Sequence, residues 1–191
     1  MKRHNLYYGG AWHEPHGGHS ETFDPATGEC IALVAAADAV DIDRAVQAAR
    51  AGFETWRRIK PLERAALLRR VAGVLRANAA ELAHLDALNA GNPVREMARD
   101  VEAAAVAMDY CAGLVTEVKG ETIPMGEGIV NLSLREPYGV VARLVAYNHP
   151  LMFVAGKAAP ALAVGNAVIM KPPEQAPLSA LRMLVAQPAV G

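Results

Sequence analysis

The stretch Gly139–Lys171, GVVARLVAYNHPLMFVAGKAAPALAVGNAVIMK, decides the fold. It contains two nearly continuous apolar runs, 139–146 and 167–170, and the segment 150–162 between them has the composition of a helix. Strands without polar alternation, joined by a helix, are typical of a parallel sheet that is covered on both faces. The sequence therefore predicts an open α/β sheet, followed by a further helix over 177–186. Two strands are present, whereas sheets of this class usually have about five or six, so we expect an incomplete sheet.

Two earlier segments favour strands. Residues 6–36 alternate short apolar runs with turns, and Gly9–Gly10 predicts a hairpin there. Asp24–Gly28 has proline and glycine where a tight turn needs them, and Cys30–Val34 is expected to form the next strand. Residues 121–138 alternate apolar and polar side chains, which is typical of half-buried strands and predicts an antiparallel ribbon.

Helices are predicted between these two segments. Residues 38–118 have apolar side chains at helical spacing and predict three helices. Asp38 is expected to cap the first helix at its amino end. The second helix is expected to begin at Pro61 and to continue to Gly91, and the third is expected to cover about 94–118.

The composition bounds the class of protein. The 191 residues are 52% hydrophobic and 20% charged, which excludes an intrinsically disordered chain. A net charge of -1 argues against a nucleic-acid partner or an anionic membrane surface, and no apolar run is long enough to span a membrane. Cys30 and Cys111 are too few for a disulfide framework, and no histidine–cysteine cluster has zinc spacing. We therefore expect a cytoplasmic protein without a metal.

Polar residues follow the first parallel strand. Tyr147–Pro150 lies where open α/β sheets place the loops that contact ligands. The side chain of Asn148 could donate two amide hydrogens to a developing oxyanion, or it could simply cap the following helix. Lys157, within that helix, could relay a proton toward the same loop, or it could extend along the helix surface into solvent.

A second polar run follows the next strand. Lys171 and Glu174 are separated by two prolines that would stiffen the loop. A lysine and a carboxylate three residues apart could hold a ribose or another polyol between them. The alternative is a solvated ion pair on an ordinary turn.

The chain resembles the amino-terminal portion of the NAD(P)-dependent aldehyde dehydrogenase superfamily. The resemblance is carried by Glu136-Pro-Tyr-Gly-Val-Val, by Tyr147-Asn-His-Pro, and by the run from Lys157 to Glu174 that contains Ala-Pro-Ala-Leu-Ala-Val-Gly-Asn and Lys-Pro-Pro-Glu. It extends over about residues 5–183. The resemblance implies an α/β fold in which preceding helices and a β-ribbon lead into an incomplete, Rossmann-like parallel sheet.

The resemblance implies a nicotinamide cofactor and the residues that would bind it. Lys171 and Glu174 would hold the hydroxyl groups of the adenine ribose. The negative charge of Glu174 suggests NAD rather than NADP, because it would repel a 2'-phosphate. Leu144, Ala146 and Tyr147 would lie along the cofactor, partly through their backbone.

It also implies roles in the reaction, which oxidises an aldehyde to a carboxylic acid through a cysteine thiohemiacetal. Asn148 would be the oxyanion-hole amide, and Lys157 would match the family's lysine in the following helix. His149 stands where family members usually have an aromatic residue that faces the aldehyde tunnel, so substrate choice is expected to differ.

The resemblance divides the chain into three parts. Residues 1–120 would be the amino-terminal strands and helices of the cofactor-binding domain, 121–138 a ribbon of the oligomerisation type, and 139–191 the start of the NAD-binding sheet. The family's nucleophilic cysteine and general-base glutamate lie in motifs that these 191 residues do not contain. We therefore expect a truncated family member that is inactive alone. The alternatives are one half of a split enzyme, completed by a carboxy-terminal chain, and a non-catalytic module that binds a homologue or forms a homo-oligomer.

Overall fold

A computed structural model describes residues 2–185. Its strands are β1 (Lys2–His4), β2 (Leu6–Tyr8), β3 (Ala11–His13), β4 (His19–Phe23), β5 (Cys30–Ala35), β6 (Thr122–Pro124), β7 (Val130–Leu132), β8 (Val140–Leu144) and β9 (Ala167–Lys171). Its helices are α1 (Ala39–Trp56), α2 (Pro61–Ala77), α3 (Ala79–Ala90), α4 (Val94–Gly113), a π-helical turn (Met152–Gly156), α5 (Lys157–Ala163) and α6 (Leu178–Val185). The last residue of the helix predicted over 177–186 lies outside the described residues.

The predicted parallel pair is confirmed. Strands β8 and β9 pair in parallel, with Val140 opposite Ala167 and Leu144 opposite Lys171. The π-helical turn and α5 form the connection between them. The carboxyl ends of both strands therefore lie side by side at one edge of the sheet.

The other strands form small sheets. Strand β5 lies between β1, which is parallel to it, and β4, which is antiparallel. The predicted hairpin around Gly9–Gly10 is formed by β2 and β3, and the predicted ribbon by β6 and β7. Both ribbon strands are exposed along their whole length, so the expectation that they are half-buried is wrong for this chain. Within residues 2–185, no other element packs against either face of these two strands closely enough to bury it.

The helical part differs from the prediction at two points. The expected second helix is divided at Asn78, whose side-chain amide donates to the carbonyl of Val74 at 2.8 Å. Such a bond between side chain and backbone competes with the helical pattern and favours a break. The expected third helix ends at Gly113 rather than near 118. Glycine and the β-branched residues that follow it are poor helix formers, which accounts for the early end.

The amino end of α1 is capped as predicted. The side chain of Asp38 accepts hydrogen bonds from the N–H groups of Val40 and Asp41 at 2.9 and 3.1 Å. Asp41 is buried and accepts the N–H groups of His16 and Gly17 at 2.9 and 3.2 Å. These bonds fix the start of α1, which packs against β9.

The main core lies where α2, α3 and α4 pack against the segment that connects β8 and β9. Its largest fully buried side chains are Leu68, Leu75, Leu82, Met97, Val101 and Leu151. The alanine-rich middle of α4 lets the π-helical turn approach closely, since a Cβ placed on Gly156 would lie 3.4 Å from the Cα of Ala104. Among residues 2–185, no helix is long and apolar enough to cross a membrane.

The close approach at Gly156 predicts the effect of a larger side chain. Gly156→Val would force the π-helical turn away from α4, and we expect a loss of about 1–3 kcal/mol in the free energy of unfolding. Urea denaturation measures this loss. The matched control is Gly73→Val, because Gly73 lies in α2 with no atom near its missing Cβ. Equal stability of the two variants would contradict the packing argument.

Candidate functional site

Two loops meet at the carboxyl ends of β8 and β9. We call residues 145–151 the Asn148 loop and residues 172–177 the Glu174 loop. The N–H of Val145 donates to the carbonyl of Lys171 at 3.4 Å, so the two chains remain in contact as they leave the sheet. The sequence placed polar residues on both loops, and the structure brings these loops together.

Lys171 and Glu174 lie within one small turn. Their side chains form an ion pair, with 2.8 Å between Nζ and Oε1, and both side chains are exposed. The hydrogen bond from Lys171 lowers the pKa of the Glu174 carboxyl below its ordinary value. The Glu174 carboxyl is therefore ionised at neutral pH, and the pair can be reached by a ligand.

The side chain of Asn148 is exposed, and its backbone is held in place. The amide of Asn92 donates to the carbonyl oxygen of Asn148 at 2.9 Å. Within the part of the chain that the structure describes, the Asn148 carboxamide itself has no hydrogen-bond partner. The alternative that Asn148 caps the following helix is therefore not observed.

The next residues of the Asn148 loop are held by acidic side chains. Nδ1 of His149 lies 2.7 Å from Oδ2 of Asp100, and the ring meets Phe153 edge-on at 5.7 Å between centroids. The N–H of Leu151 donates to Oδ2 of Asp86 at 3.1 Å.

Asp86 is the most deeply buried acid of the site, with 1% of its surface exposed. Burial raises the pKa of Asp86 to about 6, although the nearby Ser179 hydroxyl and the Leu151 N–H oppose the rise. The charge of Asp100 also raises this pKa, and that of His149 lowers it. Oδ1 of Asp86 has no hydrogen-bond partner within residues 2–185.

Asn89 holds the Glu174 loop. Its side-chain amide donates to the hydroxyl of Thr22 at 2.8 Å and to the carbonyl of Gln175 at 3.2 Å. Its side-chain oxygen accepts the N–H of Leu178 at 3.2 Å, at the start of α6. Asn89 is 3% exposed, and these bonds satisfy both ends of its carboxamide.

The sequence analysis missed these supporting residues. Asp86 and Asn89 lie three positions apart near the end of α3, which is otherwise rich in alanine and leucine, and Asn92 follows the end of that helix. Polar residues on the buried face of a helix could have indicated a contact with another segment, because buried polar groups need hydrogen-bond partners.

An open cleft of about 500 Å³ lies beside the two loops. Its lining includes Thr22, Phe23, Asn89, Tyr147, Glu174 and Gln175. Leu144 and Tyr147 are 73% and 60% exposed, and Ala146 is also exposed. The predicted cofactor residues therefore all lie at the surface of this edge of the sheet.

Lys157 lies in the helical segment that follows the Asn148 loop. It begins α5 and its side chain is exposed. No hydrogen bond or ion pair joins its ammonium group to any residue between 2 and 185. The structure thus brings the other predicted residues to one sheet edge, and it shows no contact that would link Lys157 to Asn148.

The sequence and fold of this chain are similar to those of known proteins. A family model described as the aldehyde dehydrogenase family matches residues 12–191. The chain belongs to this family. Aldehyde dehydrogenase tropH from Talaromyces stipitatus is 47% identical over 184 residues, which cover 94% of this chain and 36% of that protein.

Solved structures of family members match the whole described fold. The NAD+ complex of aldehyde dehydrogenase from Bacillus cereus has a TM-score of 0.93 at 35% identity, over 97% of this chain and 38% of the other. PnpE from Pseudomonas sp. WBC-3 has a TM-score of 0.91 at 39% identity, over 97% and 38% of the two chains. The chain thus corresponds to an amino-terminal portion of the aldehyde dehydrogenase fold and spans little more than a third of the length of these relatives.

The buried carboxyl of Asp86 predicts a pH-dependent stability. Its pKa is about 6 in the fold, against an ordinary value of 3.8, so ionisation opposes folding. The resulting cost is absent near pH 2, where the carboxyl is protonated in both states, grows as the pH rises, and reaches about 3 kcal/mol near pH 7. Relative to the wild type, Asp86→Asn should gain most of this amount, about 2 kcal/mol in free energy of unfolding, between pH 4 and pH 7. Urea denaturation at several pH values measures the difference, and a difference independent of pH would contradict the assignment.

Proposed function

We propose that this chain supplies the cofactor-binding strands and the oxyanion-stabilising amide of an enzyme that oxidises an aldehyde to a carboxylic acid with NAD. One observation carries the proposal. The unpaired carboxamide of Asn148 and the exposed Lys171–Glu174 pair lie on adjacent loops at the carboxyl edge of one parallel sheet. Open α/β sheets bind their ligands at this edge.

The carboxamide of Asn148 can stabilise negative charge on a carbonyl oxygen. When a nucleophile adds to an aldehyde, the carbonyl oxygen becomes an oxyanion, and an amide N–H held nearby lowers the energy of that state. The backbone of Asn148 is fixed by Asn92, so the donor is placed before the reaction begins.

The Lys171–Glu174 pair fits the hydroxyl groups of a ribose. An ammonium group donates hydrogen bonds and a carboxylate accepts them, so two neighbouring hydroxyls can bind between the two side chains. A 2'-phosphate would meet the carboxylate of Glu174, which favours NAD over NADP. The related B. cereus enzyme and PnpE have been solved in complex with NAD, and 3,6-anhydro-L-galactose dehydrogenase in complex with NAP. These relatives support a nicotinamide dinucleotide, and the choice of NAD rests on the charge of Glu174.

The remaining cofactor contacts come from the strand that leads to the loop. Leu144, Ala146 and Tyr147 are exposed beside Lys171 and offer backbone and apolar surface along the dinucleotide. Bound NAD would supply the acceptor for the hydride of the aldehyde carbon. His149 is proposed to face the aldehyde. Lys157, in the helix that follows, is proposed to relay a proton.

The nucleophile is proposed to come from polypeptide outside these 191 residues. Cys111 lies half-buried in α4, and burial raises the pKa of its thiol, which disfavours the reactive thiolate. Cys30 lies in β5, and its sulfur contacts the carbonyl of Ala32 at 3.6 Å. The exposed apolar ribbon, with Leu132 at 66% and Leu134 at 84% exposure, favours a further partner. That partner would be a second copy of the chain or a complementing carboxy-terminal chain.

The cofactor proposal predicts the effect of removing one carboxylate. Glu174→Ala should weaken NAD binding by this chain about tenfold, because two hydrogen bonds to the ribose are lost. Isothermal titration calorimetry measures the dissociation constant. The matched control is Glu117→Ala, which breaks the exposed Lys119–Glu117 ion pair elsewhere on the surface. NAD binding that is equally strong in both variants would exclude Glu174 as a ribose ligand.

The function itself is tested through Asn148. In the protein that includes the polypeptide supplying the nucleophile, Asn148→Ala should lower kcat for aldehyde oxidation by about 10²–10³-fold, because an oxyanion donor is lost. NADH formation is measured by absorbance. Asn131→Ala, on the exposed ribbon, serves as the control and should keep the wild-type rate. The proposal fails if the wild type oxidises no aldehyde, or if Asn148→Ala retains full kcat.

A further inference from the structure

We propose that Asn92, Asp100 and Asp86 are positioning residues that hold the Asn148 loop in its active conformation and leave the Asn148 side chain unengaged. The inference rests on the proposed role of Asn148 as an oxyanion donor. All three residues belong to the α3–α4 hairpin, which we define as residues 79–113.

Each of the three side chains holds a different residue of the loop. Asn92 donates to the carbonyl of Asn148 at 2.9 Å. Asp100 lies 2.7 Å from Nδ1 of His149. Asp86 accepts the N–H of Leu151 at 3.1 Å. A segment of four residues is thus fixed at three of its positions by one hairpin.

The bond from Leu151 to Asp86 is the informative one. The carbonyl of His149 accepts the N–H of Phe153 at 3.0 Å, so the helix begins here and the N–H of Leu151 has no partner within it. The residue at the N-cap commonly takes such an N–H with its own side chain, and here that residue is His149, whose ring is held by Asp100. Asp86 takes it instead, and the carboxamide of Asn148 is left available for a ligand.

The burial of the two carboxyl groups shows that these contacts belong to the interior of the fold. Asp86 and Asp100 are 1% and 8% exposed, and a carboxylate is costly to remove from water unless it accepts hydrogen bonds. The partners that these carboxylates receive lie on the Asn148 loop. Displacement of the loop would remove the partners of Oδ2 on Asp86 and of Oδ2 on Asp100.

A positioning role predicts a loss of rate without a loss of binding. In the protein that includes the polypeptide supplying the nucleophile, Asn92→Ala should lower kcat for aldehyde oxidation by about 5–20-fold, with KM for aldehyde and for NAD changed less than twofold. Asp86→Leu should lower kcat by about 10–100-fold per folded molecule. Asp86→Asn keeps an oxygen that can accept the Leu151 N–H, and it should recover kcat to within about threefold of the wild type. Asn131→Ala is the control.

A second measurement reports on the loop without using activity. Amide hydrogen exchange, followed by NMR in the 191-residue chain, should become at least about tenfold faster at Leu151 in Asp86→Leu than in the wild type. The core amide of Val101 should keep its exchange rate, which separates a local change in the loop from general unfolding.

The outcomes separate the two proposals. If the wild type oxidises aldehydes and Asn92→Ala and Asp86→Leu retain full kcat, the positioning role is wrong and the role of Asn148 stands. If Asp86→Asn is as slow as Asp86→Leu, the hydrogen bond to Leu151 is not the cause and the inference is overturned. If the wild type oxidises no aldehyde, the proposed function fails, and the inference fails with it.

Discussion

Buried polar side chains need hydrogen-bond partners, and the end of α3 obtains its partners from the two loops of the candidate site. Asp86 binds the N–H of Leu151, and Asn89, one helical turn later, binds the carbonyl of Gln175. The sheet brings the two loops together, because β8 and β9 are parallel neighbours. The hydrogen bonds from α3 then fix the position of each loop relative to the sheet. A single turn of α3 therefore contacts both the Asn148 loop and the Glu174 loop.

The elements that the sequence predicted well are those set by local pattern. The apolar runs of β8 and β9, the hairpin at Gly9–Gly10 and the cap at Asp38 depend on residues close together in the chain, and all of them form. The division of the second helix at Asn78 was not predicted, because a helical apolar pattern continues across it. One side-chain hydrogen bond outweighs that pattern.

In the candidate site, too, the features that depend on nearby residues could be predicted, and those that depend on distant contacts could not. Asn148, Lys171 and Glu174 could be found from their place after the two strands, together with the family resemblance. Asp86 and Asn89 could not, because their partners lie 65 and 86 positions away in the chain. Neither the length nor the composition of α3 indicates which distant loop its polar side chains bind. The residues proposed to contact a ligand could thus be found from the sequence, whereas the residues proposed to position them required the three-dimensional structure.

The chain order of the α3–α4 hairpin has a consequence for biosynthesis. The hairpin, residues 79–113, leaves the ribosome before the loop that it holds, at 145–151. Helices whose contacts are close in sequence form quickly, whereas contacts across long separations form late. The nascent chain therefore exposes acceptors on Asp86 and Asp100 to water until the later segment arrives. The loop then docks onto side chains of a hairpin that was synthesised before it.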